Sequence, residues 1–204
     1  MHSCGPTVYD YAHIGNFRAF LTYDIIKRWF QYCGFDVYHV CNLTDVDDKI
    51  INKMFLENKT LQAVTERFTS AFFDDLDALN IIRAAVYPKA TEHIHEMENM
   101  IKSLVQSGHA YEKDNSVYFR ASSVQKTQQF AQININHTDQ LQQTEQADQS
   151  ESNQYTRRRT QLRGVEDKEN PLDFALWKAG TQSEGGVGWN SKFGFGRPGN
   201  WHYY

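Results

Sequence analysis

"CGPTVYDYAHIGN", residues 4–16, decides how the rest of this chain is read. A cysteine and a Gly-Pro turn lead into His13-Ile14-Gly15, after which apolar residues recur at helical spacing. Phe17, Phe20, Leu21, Ile25, Trp29 and Phe30 mark that helix, and Gly34 supplies its stop. Upstream, "MHSC" suits a short buried strand ending at Gly5-Pro6. Downstream, "FDVYHVCNL" alternates and is rich in β-branched and aromatic side chains, so it reads as a second strand. Strand, helix, strand over about forty residues is a βαβ unit, which implies a parallel sheet and an α/β fold. A helix starting just after His13-Ile14-Gly15 presents unpaired backbone N–H groups and the positive end of its dipole, a ready phosphate site. Gly15 has no Cβ, so a flat ligand such as an adenine base could approach its backbone. His13 and Asn16 could place donors on phosphate oxygens. An ordinary strand–loop–helix turn uses the same residues, and spacing alone does not choose between the two.

Working outward, helices are expected over residues 47–56 and, with Thr60 as cap, over residues 60–79. "KATEHIHEMENMIKSLVQSGHAY" repeats the pattern with Thr91 as cap and Gly108 as terminator. "GHAYEKDNSVYFR" reads as a hairpin turning at Asp114-Asn115. Between residues 125 and 154, ten of thirty residues are Gln and few are large and apolar. Such a stretch cannot repay its ordering entropy by burial, so residues 125–163 are expected to form a flexible loop or insertion. Order should resume at "ENPLDFALWK", where Leu172, Phe174, Leu176 and Trp177 can pack. "EGGVGWNSKFGFGRPGNWHYY" reads as a glycine- and aromatic-rich loop.

The bulk numbers narrow the class of function. A chain of 204 residues, 40% hydrophobic, can bury a sizeable core without staples. A net charge of −4 gives no global pull toward nucleic acid or membrane. No apolar run is long enough to span a bilayer, and no signal peptide is legible. Three cysteines, Cys4, Cys33 and Cys41, suggest a reducing compartment over a disulfide framework, so the cytoplasm is the expected location.

"NLTDVDDKI", residues 42–50, falls at the end of the second strand, where open α/β sheets bind ligands. Thr44, Asp45, Asp47 and Asp48 are therefore placed for polar recognition, although Thr44 or Asp45 could equally cap the next helix. Cys4 alone makes no metal site, and the two histidines of "HIH" (His93, His95) point to different helix faces. The basic cluster "RRRTQLR", residues 157–163, suits a solvated face or salt-sensitive phosphate contacts.

Together these segments resemble the cysteinyl-tRNA synthetases, class I aminoacyl-tRNA synthetases. "CGPTVYDYAHIGN" is similar to their zinc-ligand cysteine plus HIGH signature; "NLTDVDDKII", "FDDLDALNI", "NPLDFALWK" and "GRPGNWH" resemble later blocks in the family's order. The resemblance implies a Rossmann-type, HUP-like nucleotide-binding half interrupted by a connective insertion. Residues 1–82 would form the first half of the catalytic domain, and residues 83–204 the insertion and the start of the return. It implies ATP-dependent activation of cysteine and its transfer to the cysteine tRNA. His13 and Asn16 would take the catalytic signature positions, with Tyr9 and Gly15 beside them around ATP. Cys4, Gly5, Thr44 and Trp201 would face cysteine, with His202 beside them. Cys4 would also ligate a zinc that binds the substrate thiolate and so disfavours serine.

Two departures shape the expectation. Asn16 stands where the signature usually ends in His, and its amide can still donate a hydrogen bond. The sequence runs two residues past Trp201-His202, so Cys4 is the one family zinc ligand it supplies, and the lysine-rich KMSKS loop is not in it. An amino-terminal part of the catalytic domain is therefore expected. Two other functions fit the same front motifs or the remaining segments. One is a ligase joining cysteine to an amino sugar through the same adenylate. The other is a non-catalytic fragment whose Gln- and Arg-rich stretch binds RNA or a partner.

Overall fold

A computed structural model describes residues 1–124, 168–180 and 186–199. The Gln-rich stretch, the basic cluster at residues 157–163, Trp201 and His202 lie outside the described residues. The βαβ unit forms: β1 (His2–Ser3), α1 (Ile14–Tyr32) and β2 (Val40–Cys41), with the two strands parallel and Ser3 opposite Cys41. β2 is much shorter than the nine residues of "FDVYHVCNL", but the parallel course continues as single bridges, Thr7 with Thr44 and Leu43 with Lys89. On the far side of β2, Cys41 N donates to Val86 O at 3.1 Å and Leu43 N to Pro88 O at 2.8 Å. A third parallel segment, residues 86–90, thus flanks β2 and carries the pairing past residue 82.

The crossover between β2 and that segment is α2 (Asp48–Glu57) and α3 (Leu61–Ala78). Thr60 caps α3 as expected, its side chain accepting from Ala63 N at 3.2 Å. The cap of α2 is Asp47, not Thr44 or Asp45: its carboxylate accepts from Lys49 N at 2.8 Å. The core under these helices gathers Val8, Phe17, Phe20, Leu43, Phe68 and Phe72, with Phe20 and Phe72 edge to face at 5.0 Å.

α1 does not bury the face its apolar spacing suggested. Phe17 and Phe20 go inside, but so do Asp24 and Lys27, while Leu21, Ile25, Trp29 and Phe30 are exposed. The reason is backbone satisfaction. Asp24 accepts from Ile82 N at 2.9 Å and Lys27 donates to Arg83 O at 2.8 Å, so the inward polar side chains close the loop after α3. Burial lowers the Lys27 pKa from its ordinary value, with the nearby Asp24 opposing that shift.

A short 3-10 turn (Ala90–His93) leads into α4 (Ile94–Gln106), and Gly108 ends it at φ +77. Thr91 does not cap α4; it lies in the 3-10 turn and bonds Asp45. The expected hairpin follows as β3 (Ala110–Lys113) and β4 (Ser116–Phe119), with positive φ at Asp114 and Asn115 giving the turn its primed twist. Further along run β5 (Phe174–Ala179), β6 (Trp189–Ser191) and β7 (Gly194–Pro198). These complete a five-stranded antiparallel sheet in the order β3-β4-β5-β7-β6. The segment read as a terminal loop is therefore a strand pair, because β5 offers it an edge that no local pattern reveals. Leu176 and Trp177 are buried in this second core with Ile101 and Val117, whereas Leu172 and Phe174 are exposed. Among the described residues no helix is long and apolar enough to cross a membrane.

Candidate active site

The start of α1 is built by three residues. His13 is the N-cap, in extended backbone, and its Nδ1 accepts from Gly15 N at 3.0 Å. Asn16 reciprocates, its Oδ1 accepting from His13 N at 3.0 Å, which closes a capping box. A Cβ on Gly15 would fall 2.8 Å from His13 Cε1. The His13 ring thus lies where a side chain at position 15 would project, and Gly15 itself is exposed. With Nδ1 accepting a backbone proton, the ring proton resides on Nε2, which becomes a donor. With Oδ1 engaged, Asn16 likewise turns its NH₂ to donor duty. Both residues are exposed, and the first turn of α1 contains no acidic side chain.

The loop before that helix is held by α2 and α3. Lys49 Nζ lies 5.1 Å from the Tyr9 ring centroid, Lys53 pairs with Asp10 at 3.1 Å, and Tyr11 meets Phe68 edge to face at 5.2 Å. Tyr9 is half-buried, so its position in the loop is set by packing as well as by the cation.

Cys4 and Gly5 sit across from the end of β2. Gly5 N donates to Asn42 Oδ1 at 3.1 Å, and Asn42 Nδ2 reaches Thr44 Oγ1 at 3.4 Å. A Cβ on Gly5 would lie 1.6 Å from Asn42 O, so only glycine permits this approach. Asn42 therefore brings the Cys4-Gly5 turn and Thr44 together, a role the sequence did not single out. Thr44 is fully buried, whereas Cys4 is exposed. Beside them, burial pushes the Cys41 thiol pKa up, and Ser3 Oγ stands 2.8 Å from His39 Nε2. The zinc that the resemblance implies does not fit this donor set. No group of three or more His, Cys, Asp or Glu able to hold a metal exists among the described residues.

The acids of "NLTDVDDKI" are spent on structure. Asp45 takes Thr91 N at 2.9 Å and Thr91 Oγ1 at 2.5 Å, and Asp47 caps α2. Asp48 pairs with Lys178 at 2.6 Å and Arg197 at 2.8 Å, tying α2 to β5 and β7. Of the residues expected at the site, His13, Gly15 and Asn16 come together at one helix start, and Cys4, Gly5 and Thr44 at the neighbouring strand end. Tyr9 lies in the loop leading from the second group to the first.

A parallel strand pair joined by a capped helix is, by class, the start of an α/β domain, and open parallel sheets take ligands at the carboxyl ends of their strands. The family described as tRNA synthetases class I (C) catalytic domain matches residues 1–203, and this chain belongs to that family. It is 42% identical over 202 residues to the cysteine–tRNA ligase of Lactiplantibacillus plantarum and 44% identical over 202 residues to that of Brachyspira hyodysenteriae. Each alignment covers 99% of this chain and 39% of the relative. The cysteine–tRNA ligase of Staphylococcus haemolyticus is 39% identical over the same share. The chain thus spans well under half the length of the relatives it matches.

Proposed function

We propose that this chain carries the ATP-phosphate cradle and the cysteine-facing turn of a cysteine–tRNA ligase. In the first step a cysteine carboxylate oxygen attacks the α-phosphorus of ATP. The bond to the β-phosphate oxygen breaks, giving cysteinyl adenylate and pyrophosphate. In the second, a ribose hydroxyl of the cysteine tRNA attacks the activated carbonyl and AMP leaves. His13 Nε2–H and the Asn16 NH₂ donate to the phosphate oxygens on which charge builds, with the positive end of the α1 dipole behind them. Each such donor is worth roughly 2.7–4 kcal/mol in a preorganised site. Cys4, Gly5, Thr44 and Trp201 are assigned to the amino acid, and no step is routed through zinc.

The observation that carries this reading is the reciprocal cap of His13 and Asn16, which leaves two outward donors and no acid at an exposed helix start. Residues 1–82 are proposed as the first half of the catalytic domain and residues 83–204 as the connective insertion and the start of the return, with residues 86–90 still pairing with β2 just past that bound. The names of the relatives give no support to the amino-sugar ligase or to the non-catalytic fragment.

Titrating the folded chain with Mg·ATP while following backbone amide resonances tests the cradle. Saturable shifts centred on Gly15 and Asn16, lost in Asn16→Ala, are expected. Shifts absent there, or unchanged in that variant, overturn the assignment. Cysteine-dependent ATP–pyrophosphate exchange then reads the chemical step.

A further inference from the structure

The basic side chains of α2 and α3 near the loop into α1 are not equivalent. Lys53 is 3.1 Å from Asp10 and 3.7 Å from Glu57, and Arg67 is 2.9 Å from Glu57. Lys49, one turn before Lys53 on the same face of α2, makes no ion pair among the described residues. It also occupies the first turn of α2, where the helix dipole favours anions and a cation is locally unfavourable. Asp47 and Asp48 just before it obey that rule, and Lys49 breaks it. Local rules broken without a compensating partner concentrate at functional sites. The Lys49 ammonium is instead held 5.1 Å from the Tyr9 ring, in the loop that runs into the His13 cap.

We infer that Lys49 is a phosphate-binding residue for the nucleotide cradled at the start of α1. This rests on the ATP reading of that helix start. His13 and Asn16 supply neutral donors and the helix end a partial charge, so a polyphosphate of several negative charges would still lack a full countercharge. Lys49 supplies it from the neighbouring helix, as a flexible point charge. The Tyr9 face keeps the ammonium on the loop side when no ligand is present.

The test compares wild type, Lys49→Gln, Lys49→Arg and the control Lys59→Gln, whose side chain pairs with Glu57 at 3.3 Å. Dissociation constants are measured for Mg·ATP and for inorganic tripolyphosphate, with thermal unfolding alongside. Lys49→Gln should weaken both ligands about tenfold, as expected for a lost charge-assisted contact. Lys49→Arg should restore most of the affinity, and the control should bind as wild type does. Unfolding of Lys49→Gln should shift little, because relief of the helix dipole offsets the lost contact with the Tyr9 ring. Wild-type binding with an unchanged Lys49→Gln overturns the inference and leaves the ATP reading standing. A loss for ATP with none for tripolyphosphate also overturns it, since the lysine would then act through the base or Tyr9. A wild-type chain that binds neither ligand overturns the reading of the helix start, and the inference falls with it.

Discussion

Gly5 shows how a single missing methyl positions a site. Its backbone lies so close to Asn42 that an added Cβ would sit 1.6 Å from the carbonyl oxygen and 2.8 Å from the carbonyl carbon. Both are main-chain atoms, so no side-chain rotation relieves the clash. Gly5→Ala should therefore push the Cys4-Gly5 turn off the end of β2 and break the hydrogen bond to the Asn42 amide. The cost should be about 1–3 kcal/mol, the usual range for overpacking, read as a shift in the urea midpoint. His13 and Asn16 make the complementary point. Their donors face outward because the opposite side of each group is consumed by capping. The residues were legible in the sequence; the consumption of Nδ1 and Oδ1, and the packing of the His13 ring against Gly15, were not.

At the scale of elements, the second sheet is fastened by a buried carboxylate. Asp173 accepts from Tyr111 Oη at 2.8 Å, Ala121 N at 2.9 Å and Asn170 N at 3.2 Å, and Glu169 N donates to the same tyrosine oxygen at 2.8 Å. Arg120 adds an ion pair to Glu169 at 2.5 Å. This knot joins β3 and the end of β4 to the strand that follows at β5. Burial first, then the bond to Asp173, raises the Tyr111 hydroxyl to about 12, with the Glu169 N–H opposing. The unfolded tyrosine titrates near 10.0, so the stabilisation is complete below that pH and is lost as pH rises toward about 12. Tyr111→Phe should cost about 1–3 kcal/mol at neutral pH, because Asp173 loses a buried donor. It should also flatten the alkaline end of the stability curve, which urea melts across pH 9 to 12 would show. Sequence patterning found the hairpin because Asp114-Asn115 is local chemistry. It missed β6 and β7 because their glycines and aromatics become strand only when β5 provides an edge.

For the molecule as a whole, the outer face of α1 stands out. Ile25 is 66% exposed, Trp29 61% and Tyr32 84%, and the Trp29 and Tyr32 rings stack at 5.8 Å. Exposed aromatic surface of this kind favours association. Trp29→Glu should leave thermal stability nearly unchanged, since the side chain supports no core, and should lower self-association in sedimentation at rising concentration. A fall in stability instead would mean that the face is packed. Residue order alone determined the βαβ start, the helix following His13-Ile14-Gly15, the Thr60 cap and the family resemblance, because periodicity, capping and turn chemistry act over a few neighbouring positions. Only the tertiary structure decided which face of α1 is buried, which acid caps α2, where Asp48 finds Lys178 and Arg197, and that Lys49 is left beside Tyr9. Those outcomes depend on which distant backbone groups and charges need partners, and a one-dimensional pattern does not contain that demand.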